Sequence, residues 1–118
     1  MRNFKQLKIW QKGFSIAIKS INLTQTFPDK EKFGLSSQIT KSAVSIPSNI
    51  AEGSSRTSEK DYSRFIEISL GSSFELETQL LIAEAVNYGN KELRSALLNE
   101  WMKSKKCSCH FSPALRLS

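Results

Sequence analysis

Histidine, cysteine and proline are scarce in this chain of 118 residues, and their scarcity excludes several classes of protein. The sequence contains one histidine, two cysteines and three prolines. Cys107 and Cys109 lie too close together to join distant segments, so a disulfide framework is not expected. Two cysteines without an expected disulfide favour a reducing, cytoplasmic setting. A secretory signal is not predicted either, because the first residues carry several positive charges and no long apolar run.

Long apolar runs are absent as well, which argues against a membrane protein. No window of about 18 apolar residues occurs, so neither a membrane span nor a membrane partner is expected. Apolar residues make up 39% and charged residues 24% of the sequence. A chain of this size and composition is expected to fold as one domain around one modest core.

With only one histidine, the chain lacks the residues for the metal sites and catalytic sites that are common in helical proteins. A carboxylate-bridged di-iron bundle needs Glu-x-x-His pairs, but the residue three positions before His110 is Cys107. Cys107, Cys109 and His110 offer three zinc ligands without a standard spacing or a fourth ligand. No histidine stands in the predicted helices to activate a serine or cysteine, and no glycine-rich phosphate loop occurs. We therefore predict no enzymatic activity, no metal and no cofactor.

Apolar residues recur every three or four positions through most of the chain, which is typical of amphipathic helices. Four helical segments are predicted, at about residues 3–26, 31–51, 58–86 and 90–105. Ser58 and Asn90 are expected to cap the third and fourth segments. Gly53 is expected to end the second segment, and Gly71 to mark a close helix contact in the third. The apolar stripe of the first segment comprises Phe4, Leu7, Trp10, Phe14, Ala17, Ile18 and Ile21.

Four helical segments with short connections predict an all-α fold, an antiparallel up-down-up-down four-helix bundle. The fourth helix is expected to be shortened, because its apolar period ends near Lys105. Residues 1–105 would then form the bundle, and residues 106–118 an irregular C-terminal tail. The sudden loss of periodicity leads to the hypothesis of an altered reading frame from Trp101 onward. A weak fourth helix leaves part of the core uncovered, and self-association is one way to bury it.

Positive charge is concentrated in the first half of the chain. Residues 1–60 contain ten Lys and Arg against four Asp and Glu, whereas residues 61–100 contain three against seven. A basic half favours a polyanion as partner, or the acidic half of a neighbouring copy. No aromatic residues are interleaved with the lysines, so base stacking is not indicated. The alternative to nucleic-acid binding is that the basic face only contacts solvent. The predicted nucleic-acid-binding residues are Arg2, Lys5, Lys8, Lys12, Lys19, Arg56 and Lys60.

The end of the second segment combines a helix-breaking proline with an amide and a carboxylate. Pro47 is expected to kink the helix or break its last turn. Asn49 and Glu52 are expected to satisfy backbone groups that Pro47 frees. We interpret Pro47, Ser48, Asn49, Glu52 and Gly53 as a structural helix terminus.

Four motifs are more specific than any composition argument. They are FKQLKIWQK at residues 4–12, FGL with SQI at residues 33–39, AVSIPSNIAEG at residues 43–53 and LGSSFELETQL at residues 70–80. Together, over about residues 3–100, they resemble a family of four-helix-bundle proteins encoded within intervening sequences of bacterial 23S ribosomal RNA genes.

This resemblance implies a bundle that assembles as a ring-like homopentamer. It also implies relatives that act as accessory subunits of diversity-generating retroelements and bind reverse transcriptase and nucleic acid. No catalytic residues accompany the family. The resulting hypothesis is a non-enzymatic homo-oligomer that binds RNA or DNA, and a protein partner, through a basic face of the first helix. A purely structural or protein–protein assembly module without nucleic-acid binding is the alternative.

Overall fold

The computed structural model describes the backbone of residues 2–117 and the side chains of residues 2–104. Over this range the fold is all-α, with four helices and two short 3₁₀ turns. The turns cover Phe4–Gln6 and Asp29–Glu31. The helices are α1 (Lys8–Thr24), α2 (Leu35–Ser54), α3 (Glu59–Ala85) and α4 (Lys91–Leu117).

Each helix packs against two neighbours, as in a closed bundle. α1 contacts α2 and α4, and α3 contacts the same two helices, whereas the diagonal pairs lie further apart within the part described. Because the connections are short, successive helices run in opposite directions. The predicted up-down-up-down four-helix bundle is confirmed.

Local hydrogen bonds explain where the last two helices begin. The Ser58 hydroxyl accepts a hydrogen bond from the backbone N–H of Asp61 at 3.1 Å. The Asn90 side-chain oxygen accepts one from the backbone N–H of Leu93 at 2.9 Å. Both side chains satisfy donors that the first turn of a helix leaves free, so both predicted caps are confirmed.

The core is formed by one stripe from each helix, and the predicted stripe of the first segment is confirmed in part, since Ala17 is buried and Leu7 and Trp10 pack against the core. Phe14 and Ile18 were predicted to face inward, yet 46% and 45% of their surface is exposed. The inward side of α1 instead carries small residues between larger ones. It consists of Gly13, Ile16, Ala17, Ser20 and Leu23. Close approach between helix backbones selects small side chains, so Gly13 and Ser20 are buried while Phe14 and Ile18 remain half exposed.

α2 packs very closely against both of its neighbours. A Cβ atom on Gly13 of α1 would lie 3.0 Å from Cγ2 of Ile46 and 3.5 Å from the backbone nitrogen of Pro47. A Cβ atom on Gly53 would lie 2.7 Å from Cβ of Phe65 in α3. Gly53 therefore makes room for α3 and does not end α2, which continues to Ser54. Pro47 is buried inside a helix that continues beyond it.

Gly71 plays no such role. No atom of another element lies within 4 Å of the position that its Cβ would occupy, and the residue is exposed. The predicted close helix contact at Gly71 is therefore wrong. The motif that contains it contacts its neighbours through other positions, such as the Ser72 hydroxyl, which lies 2.8 Å from that of Ser45.

α4 is longer than the sequence predicts. Trp101 is buried in the core and donates a hydrogen bond from its indole N–H to Glu77 at 2.8 Å. The packed bundle thus includes the residue at which an altered reading frame was suspected. The backbone remains helical through residues 106–117, where an irregular tail was predicted. Apolar periodicity indicates packing against neighbouring helices, whereas an existing helix propagates with about one backbone hydrogen bond per added residue, so a helix can extend beyond its periodic part.

Replacement of Gly53 and Gly71 by alanine is expected to have opposite effects. Gly53→Ala should lower the free energy of unfolding by about 1–3 kcal/mol, because its methyl group overlaps Cβ of Phe65. Gly71→Ala should raise it by about 0.5–1 kcal/mol, because alanine is the better helix former where space is free. Urea unfolding followed by circular dichroism measures both variants. A stabilised Gly53→Ala variant would contradict the tight α2–α3 contact.

Candidate nucleic-acid interface

Three of the predicted basic residues lie in the first turns of α1 and in the 3₁₀ turn before it. Lys5 and Lys8 are exposed, and Lys12 is half-buried. Within residues 2–104, no carboxylate forms a salt bridge with any of the three. Gln11 fixes the approach to α1 by donating a side-chain hydrogen bond to the Lys5 carbonyl at 2.9 Å. We call Lys5, Lys8 and Lys12 the α1 basic face.

Arg2, by contrast, is engaged in holding the N-terminal segment to α3. Its guanidinium forms a salt bridge with Glu59 and lies 3.7 Å from the ring centroid of Tyr62. Its backbone N–H reaches the Ser54 carbonyl at 3.4 Å. The charge of Arg2 therefore has an internal partner, and its contacts indicate a structural role.

Lys19 and Arg56 are paired as well. Lys19 forms a salt bridge with Glu100 of α4. Arg56 lies 3.2 Å from Glu52, one turn earlier in the chain, and 4.8 Å from the ring centroid of Phe65. Such partly exposed pairs add little stability, but each offsets a positive charge that the sequence assigns to nucleic acid.

Lys60 is exposed in the first turn of α3, at the end of the bundle where the N-terminal segment lies. The contacts of Arg2 with Ser54 and Glu59 bring that segment beside the α2–α3 connection. Lys60 and Arg56 therefore lie at the same end of the bundle as Lys5. The seven predicted residues do not form one uniform patch, because three of them have acidic partners.

A groove of about 540 Å³ lies between α1 and α4, beside the α1 basic face. Two lysines line its α1 side, and a third, Lys103, lines its α4 side. The complete lining consists of Lys8, Gln11, Lys12, Ser15, Glu100, Lys103 and Ser104. Sequence reasoning missed Lys103, because it lies close to the predicted end of the fourth helix. Its only signal was the excess of positive charge after residue 100.

The motif around Pro47 contributes packing and local hydrogen bonds. The Asn49 amide donates to both the carbonyl and the hydroxyl of Ser45, each at 2.8 Å. Ser48 is exposed, and Glu52 faces Arg56. The Asn49 amide thus bonds to a carbonyl one turn earlier in α2, whereas the Glu52 side chain is occupied by Arg56. The carbonyl that Pro47 leaves without a helical donor is that of Ala43, so the contacts of Asn49 and Glu52 are local ones and not the predicted ones.

Other kinds of site find little support in the side chains that the structure describes. Among residues 2–104, no group of three or more His, Cys, Asp or Glu is arranged to hold a metal ion. No helix in the part described is long and apolar enough to cross a membrane. The side chains of Cys107, Cys109 and His110 lie outside the described residues.

Comparisons with known proteins agree with this architecture. The profile of a family described as 23S rRNA-intervening sequence protein matches residues 5–108. A crystal structure of a protein of unknown function from the S23 ribosomal protein family of Bacteroides thetaiotaomicron superimposes with a TM-score of 0.78. The two chains are 24% identical, and the match covers 88% of this chain and 97% of the other. At that identity the likeness shows the fold alone. The comparison with curated proteins gives no match.

The contacts of Tyr62 predict a loss of stability in alkaline solution. Burial raises the pKa of the phenol above its ordinary value of 10, Arg2 opposes this shift, and Glu59 adds to it. The neutral phenol thus stabilises the fold below pH 10, and this contribution is lost as the pH rises beyond that value. Urea unfolding at pH 8 and pH 11 should show that the free energy of unfolding falls more between the two pH values for the unaltered chain than for Tyr62→Phe. Equal losses would exclude a contribution from Tyr62.

Proposed function

The chain belongs to the 23S rRNA-intervening sequence protein family, and from this membership we propose that it is a homo-oligomeric, non-enzymatic bundle that binds RNA or DNA. Binding uses the α1 basic face, and a protein partner such as a reverse transcriptase belongs to the same proposal. One observation carries it, namely that Lys5, Lys8 and Lys12 have no acidic partner among the described residues.

The unpaired lysines are the residues best suited to a phosphate backbone. A lysine that already contacts a carboxylate must lose that partner before it binds a phosphate, whereas an unpaired lysine only releases solvent counterions. Lys8 and Lys12 are separated by one helical turn, or about 6 Å along the axis. Lys5 extends the surface toward the end of the bundle that also carries Lys60. This arrangement favours contacts with phosphates over the reading of base edges.

Removal of the α1 basic face should weaken binding and reduce its salt dependence. We expect the triple variant Lys5→Ala, Lys8→Ala, Lys12→Ala to lose affinity for a labelled RNA or DNA oligonucleotide. The slope of log K against log salt should decrease by about 2–3, one for each lost phosphate contact. Fluorescence anisotropy between 50 and 300 mM salt measures both quantities.

The matched control replaces Lys32, Lys41 and Lys91, three exposed lysines outside the α1 basic face, by alanine. This control removes the same net charge, so a general electrostatic effect would weaken both triple variants equally. Equal weakening would contradict a role for the α1 basic face. An absence of oligonucleotide binding by the unaltered chain would favour the alternative, an assembly module without nucleic-acid affinity.

Exposed apolar side chains support the homo-oligomeric part of the proposal. Phe33, in the connection between α1 and α2, is 89% exposed, although it belongs to one of the four motifs. Phe14 and Ile18 are about half exposed on α1. Apolar surface of this kind is typical of a face that contacts another protein, and a symmetric assembly of identical chains buries it efficiently.

Self-association is expected to depend on Phe33. Sedimentation equilibrium should give a mass several times that of the 13.3 kDa chain, with a pentamer as the expected species. Phe33→Ser should shift the distribution toward smaller species and leave the helical circular dichroism unchanged. Lys41→Ser serves as a control at an exposed polar position. A monomeric unaltered chain at micromolar concentration would contradict the homo-oligomer.

A further inference from the structure

The geometry points to a phosphate-binding site, and we propose that the groove between α1 and α4 holds a backbone phosphate of the bound nucleic acid. Lys8 and Lys12 of α1 contact it from one side, and Lys103 of α4 contacts it from the other. This inference rests on the proposed function and adds to it a second helix and a residue outside the predicted set.

Lysines from two helices line this groove on opposite sides. Lys8 and Lys12 stand one turn apart along one wall, and Lys103 lines the wall opposite. An anion between the walls would have three lysines in the lining around it, whereas an anion on the α1 side alone would have two. The groove is open to solvent, so its attraction for an anion comes from the three lysines together and should weaken as the salt concentration rises.

Glu100 also lines the groove, and each of its carboxylate oxygens has a partner on α1. Oε1 forms the salt bridge with Lys19, and Oε2 accepts a hydrogen bond from the Ser15 hydroxyl at 3.0 Å. The Lys19–Glu100 pair adds no net charge, so the three remaining lysines give the lining a net positive charge. The same contacts join α1 to α4 and hold the two walls in place.

The lining also indicates which part of a nucleic acid enters. Its lining is formed by lysine, glutamine, serine and glutamate residues without an aromatic ring, and much of the exposed surface is the carbon of their side-chain stems. A base would find no ring on which to stack, whereas a phosphate oxygen finds ammonium and hydroxyl donors. The volume of about 540 Å³ lies within the usual range of ligand pockets, about 300–1,000 Å³. A phosphate and its sugar therefore fit, and a contact of this kind would not depend on the base sequence.

Lys103→Ala tests the phosphate-binding site, because Lys103 lies on α4 and does not belong to the α1 basic face. Fluorescence anisotropy uses a labelled 20-nucleotide single strand of mixed sequence and the duplex of the same sequence, in both RNA and DNA forms. We expect about a fivefold loss of affinity and a decrease of about one in the salt slope. Lys41→Ala, which removes an equal charge on the exposed side of α2, should change affinity less than twofold. Thermal unfolding checks that both variants remain folded.

The outcomes separate this inference from the proposed function. If Lys8→Ala weakens binding but Lys103→Ala behaves like Lys41→Ala, the proposed phosphate-binding site is refuted. Binding by the α1 basic face would still be supported. If the unaltered chain binds none of the oligonucleotides, both proposals fail. Binding to phosphatidylglycerol vesicles that depends on Lys103, without oligonucleotide binding, would replace the nucleic acid by a membrane surface and overturn the inference.

Discussion

The close packing of α2 between α1 and α3 is the constraint on which the other features of this bundle depend. Gly13 allows α1 to approach Ile46 and Pro47, and Gly53 allows α3 to approach with Phe65. These contacts set the rotation of α1 about its own axis, since the side with the smallest residues must face α2. That rotation exposes Phe14 and Ile18 and directs Lys19 and Ser15 toward α4. The surface available for binding is thus a consequence of how closely the backbones approach each other.

Electrostatic pairing then divides the basic residues into two groups with different roles. Arg2, Lys19 and Arg56 contact carboxylates, and the first two join separate elements of the bundle. Among the side chains of residues 2–104, no carboxylate pairs with Lys8 or Lys12, and both line the groove that α4 completes. A count of charges along the chain treats all of these residues alike, whereas only those without an acidic partner are ready to bind a phosphate. The proposed interface is therefore smaller than the predicted one, and it extends onto a second helix.

Much of the fold was predictable because it is encoded locally. The period of apolar residues gave the four helices, and the short connections gave their antiparallel order. Ser58 and Asn90 were identified as caps because a side-chain oxygen there satisfies free donors of the first turn. The predictions failed where a residue's role depends on a distant neighbour. Gly71 and Gly53 look alike in the sequence, yet only Gly53 has another helix against it.

The sequence by itself determined the number of helices, their order, the caps and the family to which the chain belongs, since each of these follows from residues close together in the chain. Only the tertiary structure decided which face of α1 is buried, which positive charges have partners, and that Lys103 lies across a groove from Lys8 and Lys12. The physical reason is the range of the interactions. Helix periodicity and capping act within a few residues, whereas packing and ion pairs join residues as far apart as Lys19 and Glu100.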